Sequence, residues 1–346
     1  MPMLRPASTP RIVLAHKVHS SVREKLSRAG EIVENVGSDP WSRDELAARC
    51  RDADALMAFM TEWIDDAFLA DCPRLRLIAG ALKGYNNFDM DACTRRGVAV
   101  TNVPDLLTAP TAELTIGLMI SVARHMRPAE VYVRQGGFKG WRPLFYGGSI
   151  NGSTVAILGA GAVGQSVLKM LNGFDCERLY VDKRPLSADI ERQVQATRTD
   201  MAEALRRADF VVLGLHLTPA TLRLVDDTFL SGMKRGAYLI NPARGSLVDE
   251  AAVARALTGG QLGGYAADTF EMEDWTRPDR PRHIHPDLLN SDRTVLTPHI
   301  GSAVSQVREQ IEMSAADSIL SMLAGAPPET LVNPASLRHR AEAVGC

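Results

Sequence analysis

The sequence predicts an α/β protein of two doubly wound parallel-sheet domains, and three observations carry that reading. The chain has 346 residues, which at roughly 150 per domain makes about two domains, each able to bury a core. Short aliphatic or β-branched runs alternate with helix-length amphipathic segments, the pattern of parallel strands joined by helical crossovers. The alternation restarts at Thr154, after a long helical stretch in the middle of the chain.

The first series offers strands at 12–15, 31–35, 55–59, 75–79 and 98–101, with helices at 20–28, 42–50 and 89–95. Leu56, Met57, Ala58 and Phe59 follow one another without a polar break, as a strand covered on both faces requires. The second series offers strands at 154–158, 178–181, 210–215, 238–241, 264–268 and 294–297. Helices are expected between them at about 161–173, 201–207, 226–232 and 249–258. Six such strands complete a dinucleotide-binding sheet. Two long helices, roughly 108–135 and 303–324, flank this series as crossings between the domains. Pro110 stands in the first turn of the former, where a missing N–H costs nothing. The expected division is therefore 107–301 for the nucleotide domain and 1–106 with 302–336 for a discontinuous substrate domain. Residues 337–346 are expected as a loose tail.

Composition narrows the function. Hydrophobic residues make up 45% and charged residues 23%, so a folded globular chain is expected. The formal charge of −2 gives no basic field for nucleic acid or a membrane surface. Five widely spaced cysteines without a Cys-x-x-Cys pair fit reduced thiols in a cytoplasmic protein, and supply neither a metal nor a disulfide framework. His283 and His285 lack further metal ligands nearby in sequence, and no metal is expected. No segment is long and apolar enough to span a bilayer, and the apolar run at 12–15 is too short for a signal peptide.

The strongest motif is Gly159-Ala160-Gly161-Ala162-Val163-Gly164, a GxGxxG that follows an apolar strand and opens a helix. Its first glycine makes the turn, its second lets backbone approach a pyrophosphate, and its third brings helix against sheet. Asp182, 18 residues beyond Gly164, ends the next strand and suits the ribose hydroxyls of NAD. Lys183 and Arg184 beside it can accept a 2′-phosphate, so NAD is expected to be preferred and NADP partly tolerated.

Arg244, Glu273 and His299 then follow three successive strands, at the sheet edge where ligands of open α/β folds bind. Arginine can clamp an oxyanion with two parallel hydrogen bonds. Histidine moves protons near neutrality, and a carboxylate can fix its tautomer and raise its basicity.

The fingerprint, NPARGSLVDE (241–250) and TPHIGS (297–302) resemble the D-isomer-specific 2-hydroxyacid dehydrogenase family over nearly the whole chain. The resemblance implies a Rossmann NAD-binding domain with a flavodoxin-like split substrate domain, in a homodimer. It also implies Arg244 as substrate anchor, Glu273 as orienter and His299 as acid/base, with Thr111, Pro242 and Asp268 near the cofactor. Within the family, LMAFM (56–60), GALKGYNNFD (80–89), VPDLLTAPTAEL (103–114), GWRPLFYG (140–147) and FEMEDWTRPDRP (270–281) are similar to the phosphonate dehydrogenases. Those enzymes oxidise phosphite to phosphate. Ordinary family members tend to carry an uncharged residue where Lys83 stands, so Lys83 beside Arg244 suits a dianion. The same resemblance places Gly84, Met60, Trp141, Tyr146, Ser302 and Arg308 at the substrate. Lys183 departs from the subgroup, which usually shows an uncharged residue there.

The expected activity is thus NAD-dependent oxidation of phosphite, with a D-2-hydroxyacid dehydrogenase or 2-oxoacid reductase as the alternative. A non-catalytic NADH-sensing protein of the same fold is the second alternative, and the intact Arg244, Glu273 and His299 set argues against it.

Overall fold

Strands β3 (Ala55–Ala58) and β4 (Leu77–Gly80) are buried at every residue, as inner strands of a sheet covered on both faces must be. The structure is a computed structural model and describes residues 9–344. Two compact units emerge, one running through Leu107 and resuming at Val304, the other spanning Thr108–Ala303.

The first unit begins with β1 (Arg11–Leu14), α1 (Ser20–Ser27), β2 (Glu31–Glu34) and α2 (Arg43–Cys50). After β3 come α3 (Asp66–Ala70), β4, α4 (Met90–Arg95) and β5 (Ala99–Thr101). All five strands are parallel in the order β2-β1-β3-β4-β5, the flavodoxin order. Ser42, Asp65 and Asp89 each accept a backbone N–H three residues on, which fixes where α2, α3 and α4 begin. The sequence reading missed α3, whose five residues are too few to show a period.

The second unit opens with α5 (Thr108–Ala123) and α6 (Met126–Arg134). One helix was expected over 108–135. It breaks because the Ala123 carbonyl accepts the Gly148 N–H at 2.9 Å and His125 turns left-handed at φ 50°. The series continues as β6 (Thr154–Leu158), α7 (Ala162–Met170), β7 (Glu177–Val181), α8 (Ala188–Val194), β8 (Thr197–Arg198), α9 (Met201–Arg207) and β9 (Phe210–Leu213). It closes with α10 (Asp227–Gly232), β10 (Ala237–Asn241), α11 (Glu250–Thr258), β11 (Leu262–Ala267), α12 (Pro286–Asn290) and β12 (Thr294–Leu296). The parallel order β12-β11-β10-β9-β6-β7-β8 is the Rossmann arrangement, with its reversal between β6 and β9. Seven strands replace the six expected; the extra one, β8, has two residues and no readable pattern.

The chain returns to the first unit as α13 (Ser305–Leu323), whose Ile311, Ala315, Ala316, Ile319 and Met322 enter that unit's core. The tail expected to be loose from residue 337 is instead helical through residue 344, as part of α14 (Ala335–Val344). Ser336 is fully buried and Leu337 packs on the core, so the polar tail is anchored where it begins.

Candidate active site

The glycine loop follows β6, at the reversal of strand order in the second unit. Gly159 sits at φ 98°, and a Cβ there would lie 2.5 Å from the Gly214 carbonyl oxygen. A Cβ on Gly164 would lie 2.2 Å from the Gly159 carbonyl oxygen, so only glycine lets α7 approach this closely. Gly161 caps α7, ahead of Ala162 and Val163, and a Cβ on it would meet nothing within 4 Å. The loop is thus a cradle of open backbone at a helix N-terminus, which fits the pyrophosphate of NAD.

Asp182 grips that cradle. Its Oδ2 accepts the Ala160 N–H at 2.8 Å and its Oδ1 accepts the Arg184 N–H at 3.0 Å. Lys183 and Arg184 are exposed beside it. Asp182→Ala should therefore shift the kcat/KM ratio toward NADP, because it removes the carboxylate that repels a 2′-phosphate. Steady-state kinetics with both cofactors checks this. Preference for NADP in the wild type would mean that the two cations dominate.

The acid–base pair is built around one turn. His299 Nδ1 lies 2.5 Å from Glu273 Oε2, so the Nδ1 proton faces the carboxylate and Nε2 is left to exchange protons with a substrate. The other oxygen, Glu273 Oε1, accepts the Phe270 N–H at 2.7 Å, which fixes the carboxylate from behind. His299 adopts φ 55°, the left-handed region that a residue with a side chain rarely enters. Asp268 holds it there. Its Oδ1 accepts from Thr297 Oγ1 at 2.6 Å and the Ile300 N–H at 2.8 Å, and its Oδ2 accepts the Gly301 N–H at 2.8 Å. Burial pushes the Asp268 carboxyl above its usual range, partly offset by those donors and by His299. Thr111, in the first turn of α5, donates to the Gly301 carbonyl at 3.4 Å and steadies the same turn.

Arg244 is placed by a folded asparagine. Asn241, at the end of β10, accepts the Ala243 N–H at 3.1 Å and donates to the Arg244 carbonyl at 2.9 Å, bending the chain through the buried Pro242. Gly245 lets this loop lie against the next, since a Cβ would fall 1.8 Å from the Phe270 carbonyl carbon. The Arg244 guanidinium donates to the Ala243 carbonyl at 2.7 Å. Burial pushes its pKa down, and the nearby Glu273 pushes it back up. A desolvated cation next to a histidine–carboxylate pair is a ready seat for an anion. The sequence reading missed Asn241, Gly245 and Gly301. Only the asparagine–proline turn signal pointed to the first.

The first unit carries Met60, Lys83, Gly84 and Arg308. Met60 lies just past β3, and Lys83 and Gly84 lie in the turn after β4. Lys83 is half-buried; its desolvation lowers the ammonium pKa, with Asp105 acting in the opposite direction. The Arg308 guanidinium sits 5.7 Å from the Phe59 ring centroid and points an Nη1 at the Ala81 carbonyl, 3.5 Å away. Burial lowers its pKa as well. Ser302 stands at the end of the second unit, half-buried in the turn before α13. Trp141 and Tyr146 are 82% and 76% exposed. His285, one of the two histidines set aside as metal ligands, caps α12 by accepting the Asp287 N–H at 3.3 Å.

Comparison with known proteins points one way. Residues 116–301 match the model of the D-isomer specific 2-hydroxyacid dehydrogenase, NAD binding domain. A glyoxylate reductase of Pyrococcus horikoshii is 36% identical over 303 residues, covering 86% of this chain and 88% of its own. A glyoxylate reductase of Thermococcus onnurineus is 34% identical over 336 residues, covering 96% and 98%. Among solved structures, the NADPH-dependent glyoxylate/hydroxypyruvate reductase of Sinorhizobium meliloti, in complex with NADP and malonate, superposes with a TM-score of 0.80. It is 27% identical, with 95% of this chain and 98% of that one covered.

Proposed function

The chain belongs to the D-isomer specific 2-hydroxyacid dehydrogenase family, and on that premise we propose that it reduces a small 2-oxoacid of glyoxylate size and oxidises the corresponding 2-hydroxyacid. The His299–Glu273 pair carries this reading. NAD, when bound, supplies or accepts the hydride. Glu273 keeps the Nδ1 proton in place, so His299 Nε2 can give a proton to the carbonyl oxygen on reduction and take the hydroxyl proton on oxidation. Arg244 holds the substrate carboxylate as a fork. The glyoxylate reductase relatives support this substrate class better than phosphite.

One observation keeps phosphite as a second reading. The first unit carries two half-buried cations, Lys83 and Arg308, the latter against the Phe59 ring and the Ala81 carbonyl. Each also faces a carboxylate, Asp105 and Glu312 respectively. If both reach the substrate, they supply the added charge that a dianion needs. In that reading His299 Nε2 would take the proton of the water that attacks phosphorus, and NAD⁺, when bound, would take up the P–H hydride, so that phosphate and NADH result. Nicotinamide absorbance separates the two: glyoxylate consumes NADH, phosphite forms it. Turnover with glyoxylate and none with phosphite is expected from the first reading; the reverse result establishes the second. Lys83→Ala then reports on the charge. Losing one charged hydrogen bond should raise the substrate KM about ten- to a hundredfold and leave the KM for cofactor unchanged. An unaltered substrate KM would remove Lys83 from the anion site.

The exposed Phe138, Trp141, Leu144 and Tyr146, together with Val131 and Val133 on α6, support a homodimer through this segment. The free thiols of Cys50, Cys72, Cys93 and Cys176 support a reducing, cytoplasmic setting.

A further inference from the structure

A second histidine–carboxylate pair lies in the first unit, outside the residues considered so far. His16 follows β1, and its Nε2 is 2.7 Å from Thr61 Oγ1 and 3.1 Å from Glu62 Oε1. Glu62 is 6% exposed yet well provided with donors. Its Oε2 accepts the Phe59 N–H at 2.5 Å, and its Oε1 accepts the Thr61 hydroxyl at 2.5 Å. With the Thr61 proton directed at Glu62, the hydroxyl oxygen and the carboxylate both face His16 as acceptors, which assigns a proton to Nε2. Asn87 closes the turn from the other side, donating to the Phe59 carbonyl at 3.0 Å and the Glu62 carbonyl at 2.8 Å.

These contacts fix the 59–62 turn, which carries Met60. They also fix the Phe59 ring, which has His16 edge-on at 5.2 Å between centroids and the Arg308 guanidinium at 5.7 Å. His16 therefore reaches Arg308 through one aromatic ring, and Met60 through one turn.

We propose that His16 and Glu62 are a positioning pair for the substrate side of the first unit, holding the 59–62 turn that carries Met60 and the Phe59 ring on which Arg308 rests. This rests on the function proposed above. A small anion offers few contacts, so a displaced guanidinium is felt mainly in substrate binding.

Steady-state kinetics with glyoxylate and NADH, and with phosphite and NAD⁺, tests the pair in the full-length protein. His16→Ala should raise the KM for whichever anion the wild type turns over by about tenfold, with the cofactor KM unchanged. His16→Gln, whose amide can donate in place of Nε2, should recover most of that loss. Thr61→Val should reproduce it in part, and these two variants decide the matter if His16→Ala does not fold. An unchanged anion KM in His16→Ala, a parallel rise in cofactor KM, or no recovery by glutamine overturns the proposal. A wild type that turns over neither anion overturns the proposed function itself, and this inference with it.

Discussion

His299→Ala is expected to lose turnover by about 10²–10⁴-fold, the usual effect of removing a general acid or base. Cofactor binding should survive, because the glycine cradle and Asp182 are built from β6, α7 and β7 and do not use this side chain. The substrate KM should change less than kcat, since the imidazole acts on the proton rather than on the anion's charge. Glu273→Gln separates the pair's two roles. An amide at that position can still cap the Phe270 N–H but no longer offers a charged acceptor to Nδ1. Its kcat should fall between the wild type and His299→Ala. Near-full turnover in His299→Ala, measured by nicotinamide absorbance, would exclude the histidine as proton carrier.

Arg244→Ala is the second large effect. Its guanidinium is buried, with burial pressing its pKa down and Glu273 as the carboxylate that opposes this. An oxyanion bound in the fork would compensate that desolvation with two charged hydrogen bonds. Their loss corresponds to about 10²–10⁴-fold in kcat/KM for the anion. Arg244→Lys keeps the charge without the planar fork and should recover only part of it. Both variants should bind NADH as the wild type does, which fluorescence titration measures. If Arg244→Ala weakens NADH binding as much as it lowers anion kcat/KM, the residue shapes the loop and does not anchor the substrate.

Much of this arrangement was legible in the chain because it rests on local signals. The apolar runs ending at Leu158 and Asn241, and the glycines at 159, 161 and 164, announce the cradle and the sheet edge from neighbouring residues alone. Arg244, Glu273 and His299 could be grouped because strand ends of an open α/β sheet converge. What stayed hidden depends on partners far apart in sequence. The Asp268 carboxylate holds the left-handed His299 turn across 29 to 33 positions, and nothing near Asp268 advertises that duty. Gly245 reads as one glycine among 27 until the backbone of Phe270 is seen against it. His16 and Glu62 look like loop residues because their separation of 46 positions is closed only by the sheet. Short elements escaped for another reason: α3, β8 and α12 span five, two and five residues, less than their own periods need to show.

Direct hydride transfer between nicotinamide and a small anion, as proposed, distinguishes a catalyst from a cofactor sensor, and isotope tracing reads that transfer. Wild-type protein is incubated with glyoxylate and NADH carrying deuterium at both C4 positions of the nicotinamide, and in parallel with deuterated phosphite and NAD⁺, and the products are read by mass spectrometry. Deuterium is expected on carbon 2 of glycolate in the first mixture, or on the reduced nicotinamide in the second, appearing about 10²–10⁴-fold more slowly with His299→Ala. Tight NADH binding with no label transfer in either mixture would contradict the proposed transfer.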